Sequence, residues 1–312
     1  MRIAIVGGGA IGSYYAGLLA RSGQDVRLLT RGAHLDALRA RGLLLRTTAG
    51  EETIPVQATD SPLELRGSEY AIVAVKSYSL PDVSPVLVGL ALDGAALVPL
   101  LNGVDIDDRL VALGVTRSSV LPGLTVVSVE RSAPGVVEQR SSYQRVVIGE
   151  RSGEMSARAR ALVDALQRAG FEARVSTDIR LDLWRKFVFL ASMAAACGFL
   201  RRSIGEVRAT PEGRALLAGA VHEIIELGRA VGVAWADDEE ASTRAALDAL
   251  TPEIKPSFLL DVERGGPTEL DVLSGTVSRL GHEHGIAMPV HDRVLRFLSF
   301  TGSALSQVPA PH

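Results

Sequence analysis

Six residues near the start of the chain, Gly7-Gly8-Gly9-Ala10-Ile11-Gly12, form a Gly-x-Gly-x-x-Gly pattern after the apolar run Arg2–Val6 and at the head of a helical pattern, Ser13 to Ser22. Glycine at the first position permits a tight turn, at the second lets a ligand approach the backbone, and at the last lets helix and strand pack closely. The helix N-terminus then faces a pyrophosphate. An ordinary strand-to-helix turn can use the same glycines, and it is the strand before and the helix after that point to a dinucleotide. The second apolar run, Asp25–Leu29, ends in Thr30-Arg31, where NAD-selective proteins carry a carboxylate for the ribose hydroxyls. A guanidinium there suits a 2′-phosphate, so NADP(H) is expected over NAD(H), the alternative being a loop arginine in solvent.

Two further polar residues directly follow apolar runs: Lys76 after Tyr70–Val75 and Asn102 after Val98–Leu101. Ligands of doubly wound sheets sit outside the carboxyl ends of the strands, so both are in reach of a site. Lys76 could lie along a cofactor, hold a substrate carboxylate or point into solvent, and Asn102-Gly103 is also a common turn pair. Farther on, Lys186 stands inside Leu183-Trp184-Arg185-Lys186-Phe187-Val188-Phe189 and shares a helix face with Leu190 and Ala194. Apolar neighbours lower an ammonium's pKa toward proton donation. A lysine snorkelling from a core helix is the competing reading. Ser257 and, twelve residues later, Glu269 both fall near helix starts, where hydroxyls and carboxylates have plain capping and dipole roles; Thr268 and Asp271 read as a capping-box-like pair.

The elements that must position these residues differ between the two halves. Up to about Gly149, unalternating apolar runs (those above, with Ala95–Leu101, Ser119–Leu121 and Thr125–Val129) alternate with helical patterns, as in a parallel sheet covered on both faces. Val136-Val137 and Arg145–Ile148 are expected as a late edge hairpin, followed by a helix over Ser156–Gly170 and a last strand over Phe171–Val175. Thereafter helices are expected over Asp182–Cys197, Pro211–Val231, Asp237–Leu250, Ser257–Arg264, Thr268–His284 and Val290–Leu305, with a frayed tail from Ser306 to His312. The expected class is α/β: an N-terminal Rossmann unit with a doubly wound, mainly parallel sheet over residues 1–176, and a C-terminal all-α unit over 177–312.

Composition narrows the partners. The 312 residues are 47% apolar and 22% charged, and a net charge of −3 leaves no positive field for nucleic acid. A single cysteine, Cys197, excludes an intrachain disulfide and a multi-cysteine metal site, and His282 and His284 fit a helix terminus better than a metal, so no metal is expected. Neither a signal peptide nor a membrane span is read: the uncharged apolar run Phe187–Leu200 is short of the roughly 18 to 20 apolar residues needed, which leaves the cytoplasm as the default. The helices over 211–231 and 290–305 offer apolar faces large enough for a homodimer.

Taken together, the Gly7–Gly12 loop, Val75-Lys76, Leu101-Asn102-Gly103, Trp184-Arg185-Lys186, Pro256-Ser257 through Asp261, Thr268-Glu269-Leu270-Asp271 with Gly275, and Gly285–Pro289 resemble the ketopantoate reductase (2-dehydropantoate 2-reductase) family over nearly the whole chain. The resemblance implies NADPH-dependent reduction of 2-dehydropantoate to pantoate, in pantothenate biosynthesis. It further implies Lys186 as general acid, Glu269 and Ser257 on the substrate, and Asn102 placing substrate and nicotinamide. The sequence departs from the family pattern at three asparagines, which here are Leu190, Ala194 and Ile204. A pocket without those amides points to a more hydrophobic 2-oxo acid or ketone as the alternative substrate. A non-catalytic NADPH-binding sensor is the second alternative.

Overall fold

The first strand, β1 (Arg2–Val6), has no polar alternation and is buried beyond its first residue, as a strand covered on both faces must be. In the computed structural model, which describes residues 1–305, β1 is the middle strand of a five-stranded, all-parallel sheet. The chain leaves it through α1 (Ala10–Arg21), returns as β2 (Asp25–Leu29), and passes α2 (Gly32–Arg41), β3 (Leu43–Thr47) and β4 (Gly50–Ile54) before β5 (Gln57–Thr59) pairs beyond β2. It then crosses to the other side of β1 with β6 (Tyr70–Val73), α3 (Leu80–Leu92) and β7 (Ala96–Pro99), giving the order β5-β2-β1-β6-β7. The winding reverses between β1 and β6, and their carboxyl ends frame the position where doubly wound sheets bind ligands.

A second sheet was not anticipated. After α4 (Ile106–Ala112), β8 (Gly123–Ala133) and β9 (Val136–Ile148) form a long antiparallel hairpin. β9 pairs in parallel with β3 and with β10 (Glu172–Val175), which is reached through α5 (Ala157–Arg168), while β4 lies antiparallel to β3. Val136-Val137 and Arg145–Ile148, expected to pair with each other, are therefore the two ends of one strand, and their partner is β8. The polar stretch between them is a solvent face, where Arg140 meets Glu130 and Glu138. Ser119–Leu121 is not a strand: a 3-10 turn over Arg117–Ser119 leads to a single bridge between Val120 and Leu97. Helix α1 packs against strands of both sheets. The Tyr15 hydroxyl donates to Thr125 Oγ1 at 2.8 Å, and its ring stacks on Phe171 at 4.4 Å.

The chain divides into two compact units, Met1–Leu101 with Ile106–Asp182, and Asn102–Asp105 with the chain from Leu183 onward. The second contains α6 (Ile179–Leu200) beyond Asp182, then α7 (Ile204–Ala209), α8 (Pro211–Ala230), α9 (Glu239–Asp248), α10 (Ser257–Arg264), α11 (Thr276–Glu283) and α12 (Pro289–Leu305). At 22 residues, α6 is long and apolar enough to cross a membrane, yet most of its apolar stretch is buried inside the protein. Helix α7, too short to read from periodicity, is held by a capping box between Ser203 and Glu206. The helix expected from Thr268 starts instead as a π turn over Asp271–Gly275, capped by Leu270 without a side-chain bond, so the Thr268–Asp271 capping box does not form. The tail from Ser306 to His312 lies outside the described residues.

Candidate active site

The glycine loop occupies the turn from β1 into α1. Gly7 has φ +116°, a conformation that side chains disfavour, and a Cβ on Gly12 would lie 1.9 Å from the Gly7 carbonyl oxygen. Gly9 caps α1 with no side-chain bond, and Ala10 and Ile11 form its first turn, so the leading N–H groups of the helix are left for a ligand. A cradle that only glycine can form, ending on an uncapped helix N-terminus, fits a pyrophosphate.

The loop is held by groups that the sequence reading did not single out. Thr30, at the end of β2, packs on Gly8, where an added Cβ would sit 2.1 Å from its Oγ1. Arg131, on β8, donates from Nη1 to the Gly8 carbonyl at 2.9 Å. His34, buried on α2, accepts the Gly135 N–H at Nδ1 (2.9 Å), which leaves its Nε2–H to donate to Ser13 Oγ (2.9 Å). Burial, and secondarily the Arg131 guanidinium, bring its pKa down to about 4, so it is a neutral strut at pH 7. Arg31 is the exposed N-cap residue of α2, in extended conformation. Lys76 is half-buried and lies three residues past the end of β6, heading a 3-10 turn over Ser77–Ser79.

In the helical unit, Lys186 lies on α6, half-buried, with Leu190 and Ala194 along the same face. The rotation of α6 is fixed on either side of it. Arg185 forks onto Glu239 at 2.7 to 3.0 Å, and Trp184 packs edge-on against Phe187 and Trp235. Burial brings the Lys186 pKa from 10.5 down to about 8, against the upward pull of the Glu269 carboxylate. Glu269 is itself only 5% exposed and lies outside any helix, between α10 and the π turn. Its Oε2 accepts from the Asn102 side-chain amide at 3.2 Å. This buried contact, and not a helix-capping bond, is one that the carboxylate makes.

Asn102 is not at the strand end itself, since β7 stops at Pro99; it begins the short segment Asn102–Asp105 that packs with the helical unit. Asp105 anchors that segment, accepting from Arg279 Nη2 at 2.8 Å and Thr276 Oγ1 at 3.3 Å on α11. Nothing in the local sequence marks this anchoring role, because Thr276 and Arg279 lie more than 170 residues away. Ser257 is the exposed first residue of α10; its side chain makes no cap bond, the N-cap being Pro256, and none to Lys186, Asn102 or Glu269. Of the three positions where asparagines were expected, Ala194 and Ile204 are 1% and 0% exposed and belong to the core, while Leu190 is half-buried.

The model of the ketopantoate reductase PanE/ApbA family matches residues 3–153, and that of its C-terminal domain matches residues 178–301. A 2-dehydropantoate 2-reductase of Mesorhizobium japonicum is 31% identical, over 95% of this chain and 96% of its own. The crystal structure of a PanE/ApbA family ketopantoate reductase from Ralstonia eutropha JMP134 superposes with a TM-score of 0.90 at 26% identity, over 98% of this chain and 100% of the other. That of a 2-dehydropantoate 2-reductase from Geobacter metallireducens GS-15 gives 0.88 at 29% identity, over 96% and 100%. The chain belongs to the ketopantoate reductase family, oxidoreductases acting on CH–OH groups.

Proposed function

We propose that this chain reduces a 2-oxo acid to the corresponding 2-hydroxy acid with NADPH, that 2-dehydropantoate is the substrate and pantoate the product, and that Lys186 is the general acid. The observation that carries this reading is an ammonium set in an apolar helix, its pKa brought down to about 8, with a buried carboxylate in electrostatic reach. At pH 7 such a group is protonated about ten to one, yet it releases its proton far more readily than a solvated lysine.

When bound, the dinucleotide supplies the hydride that reaches the carbonyl carbon. Lys186 holds a proton at Nζ for the carbonyl oxygen, neutralising the alkoxide as it develops. Glu269, kept in place by the Asn102 amide, holds positive charge at Lys186 and accepts a hydrogen bond from the substrate. Ser257 is assigned to the substrate and Asn102 to substrate and nicotinamide. On the cofactor side, Gly7, Gly8, Gly9, Ala10, Ile11 and Gly12 would hold the pyrophosphate, Arg31 the 2′-phosphate, and Lys76 a neighbouring part of the cofactor.

The test is NADPH oxidation across a panel of 2-oxo acids, with 2-dehydropantoate included, for the wild type and Lys186→Ala. Turnover of at least one acid, falling by roughly 10²- to 10⁴-fold in the variant, is expected. No turnover of any acid by a protein that binds NADPH would replace this reading with that of a non-catalytic sensor. A more hydrophobic 2-oxo acid is the second reading, favoured by the apolar residue Leu190 one helical turn beyond Lys186.

A further inference from the structure

The hairpin of the second sheet reaches the glycine loop of the first, and the residue it delivers there is a cation. Arg131 lies on β8 just before the turn, with its Nη1 on the Gly8 carbonyl at 2.9 Å. That contact uses one of five guanidinium N–H groups. Arg131 is exposed, and no carboxylate pairs with it or with Arg31 among the described residues. Most arginines of the same unit are spoken for, Arg39 by Asp60, Arg46 by Glu51 and Glu138, and Arg158 by Glu150 among them.

Arg31 is joined to the same loop through the chain. It directly follows Thr30, the residue packed on Gly8, and it is one turn from His34, whose ring feels the Arg131 charge. His34 is neutral at pH 7 and serves to fix the geometry: it ties the hairpin turn at Gly135 to Ser13 on α1. One guanidinium bonded at the Gly8 carbonyl and another borne by the N-cap residue of α2, neither with a carboxylate partner among the described residues, suit a dianionic phosphate monoester.

We infer that Arg131 acts together with Arg31 on the 2′-phosphate of NADPH, so that cofactor selectivity is set by a residue of the second sheet as well as by the end of β2. This rests on the NADPH reading above. The test measures dissociation constants of NADPH, NADH, 2′,5′-ADP and 5′-AMP for the wild type, Arg31→Ala, Arg131→Ala and Arg131→Lys. Loss of one charge-assisted contact predicts about a tenfold or greater rise in the Kd of NADPH and 2′,5′-ADP for Arg131→Ala, with NADH and 5′-AMP changed less than about threefold and a partial recovery in Arg131→Lys. Equal weakening of all four ligands would overturn the inference and leave Arg131 as a clamp on the Gly8 carbonyl alone, and so would no change in any. A wild type that binds NADPH no better than NADH would overturn the NADPH reading itself, and is recognised without any variant.

Discussion

Replacing Lys186 with methionine should make the protein more stable and less active at the same time. Methionine keeps the unbranched stem and removes the charge. The native pKa lies at about 8 against 10.5 for an ordinary lysine, a difference worth about 3 kcal/mol against the charged form, already net of the attraction of Glu269. Because Lys186 keeps partial access to water, the usable figure is nearer 1 to 2 kcal/mol. The unfolded chain holds this proton up to about pH 10.5 and the folded chain only up to about pH 8. The cost is therefore fully present below pH 8, and it disappears as pH rises from 8 to 10.5. Urea denaturation of both proteins should show the variant more stable by roughly 1 to 2 kcal/mol at pH 7, with the gap closing by pH 10.5. Turnover should fall about 10²- to 10⁴-fold at pH 7, and wild-type turnover should itself decline as pH rises through 8. A variant less stable than the wild type at pH 7, or one with undiminished turnover, would refute the reasoning.

Other substitutions probe the remaining parts. Glu269→Ala should raise KM at least tenfold with a smaller loss of stability, about 1 kcal/mol for the broken bond to Asn102; a lower melting temperature with an unchanged KM would make it a structural residue. Asp105→Asn weakens the pair with Arg279 and should lower stability by about 1 to 2 kcal/mol in urea denaturation, with a higher KM through the displaced Asn102. Gly12→Ala puts a methyl 1.9 Å from a backbone oxygen, and should cost about 3 kcal/mol or more and abolish retention on an NADP affinity resin. Leu190→Asn should raise kcat/KM for 2-dehydropantoate relative to a 2-oxo acid with a bulkier apolar side chain, and an unchanged ratio would remove Leu190 from the substrate pocket.

The glycine loop and its flanking strand and helix were legible because they are contiguous: six residues contain the turn, the close approach and the helix start. Lys186 stood out as the one lysine in an apolar helical stretch, but snorkelling was equally open from its spacing, and its role as acid came from the resemblance. The second sheet was not, because β4 carries Glu51 and Glu52 on an exposed edge and β9 shows water a polar middle that reads as a break; β5, the edge strand of the parallel sheet, was missed as well, being three residues long. Glu269 was found by resemblance, with a helix-terminus role equally open from its local sequence. Its burial and its bond to Asn102, 167 residues away, decide where the carboxylate is held.

Local pattern alone was enough to mark four of the five strands of the parallel sheet, the glycine cradle and the lysine in its apolar helix, because backbone geometry and hydrophobic periodicity act over a few residues. Tertiary structure decided the electrostatics: how far burial moves the Lys186 pKa, which carboxylate acts against that shift, and which cation reaches the Gly8 carbonyl. Desolvation and Coulomb energies depend on what lies within a few ångströms in space, and those neighbours come from parts of the chain as distant as Lys186 and Glu269 or Gly8 and Arg131.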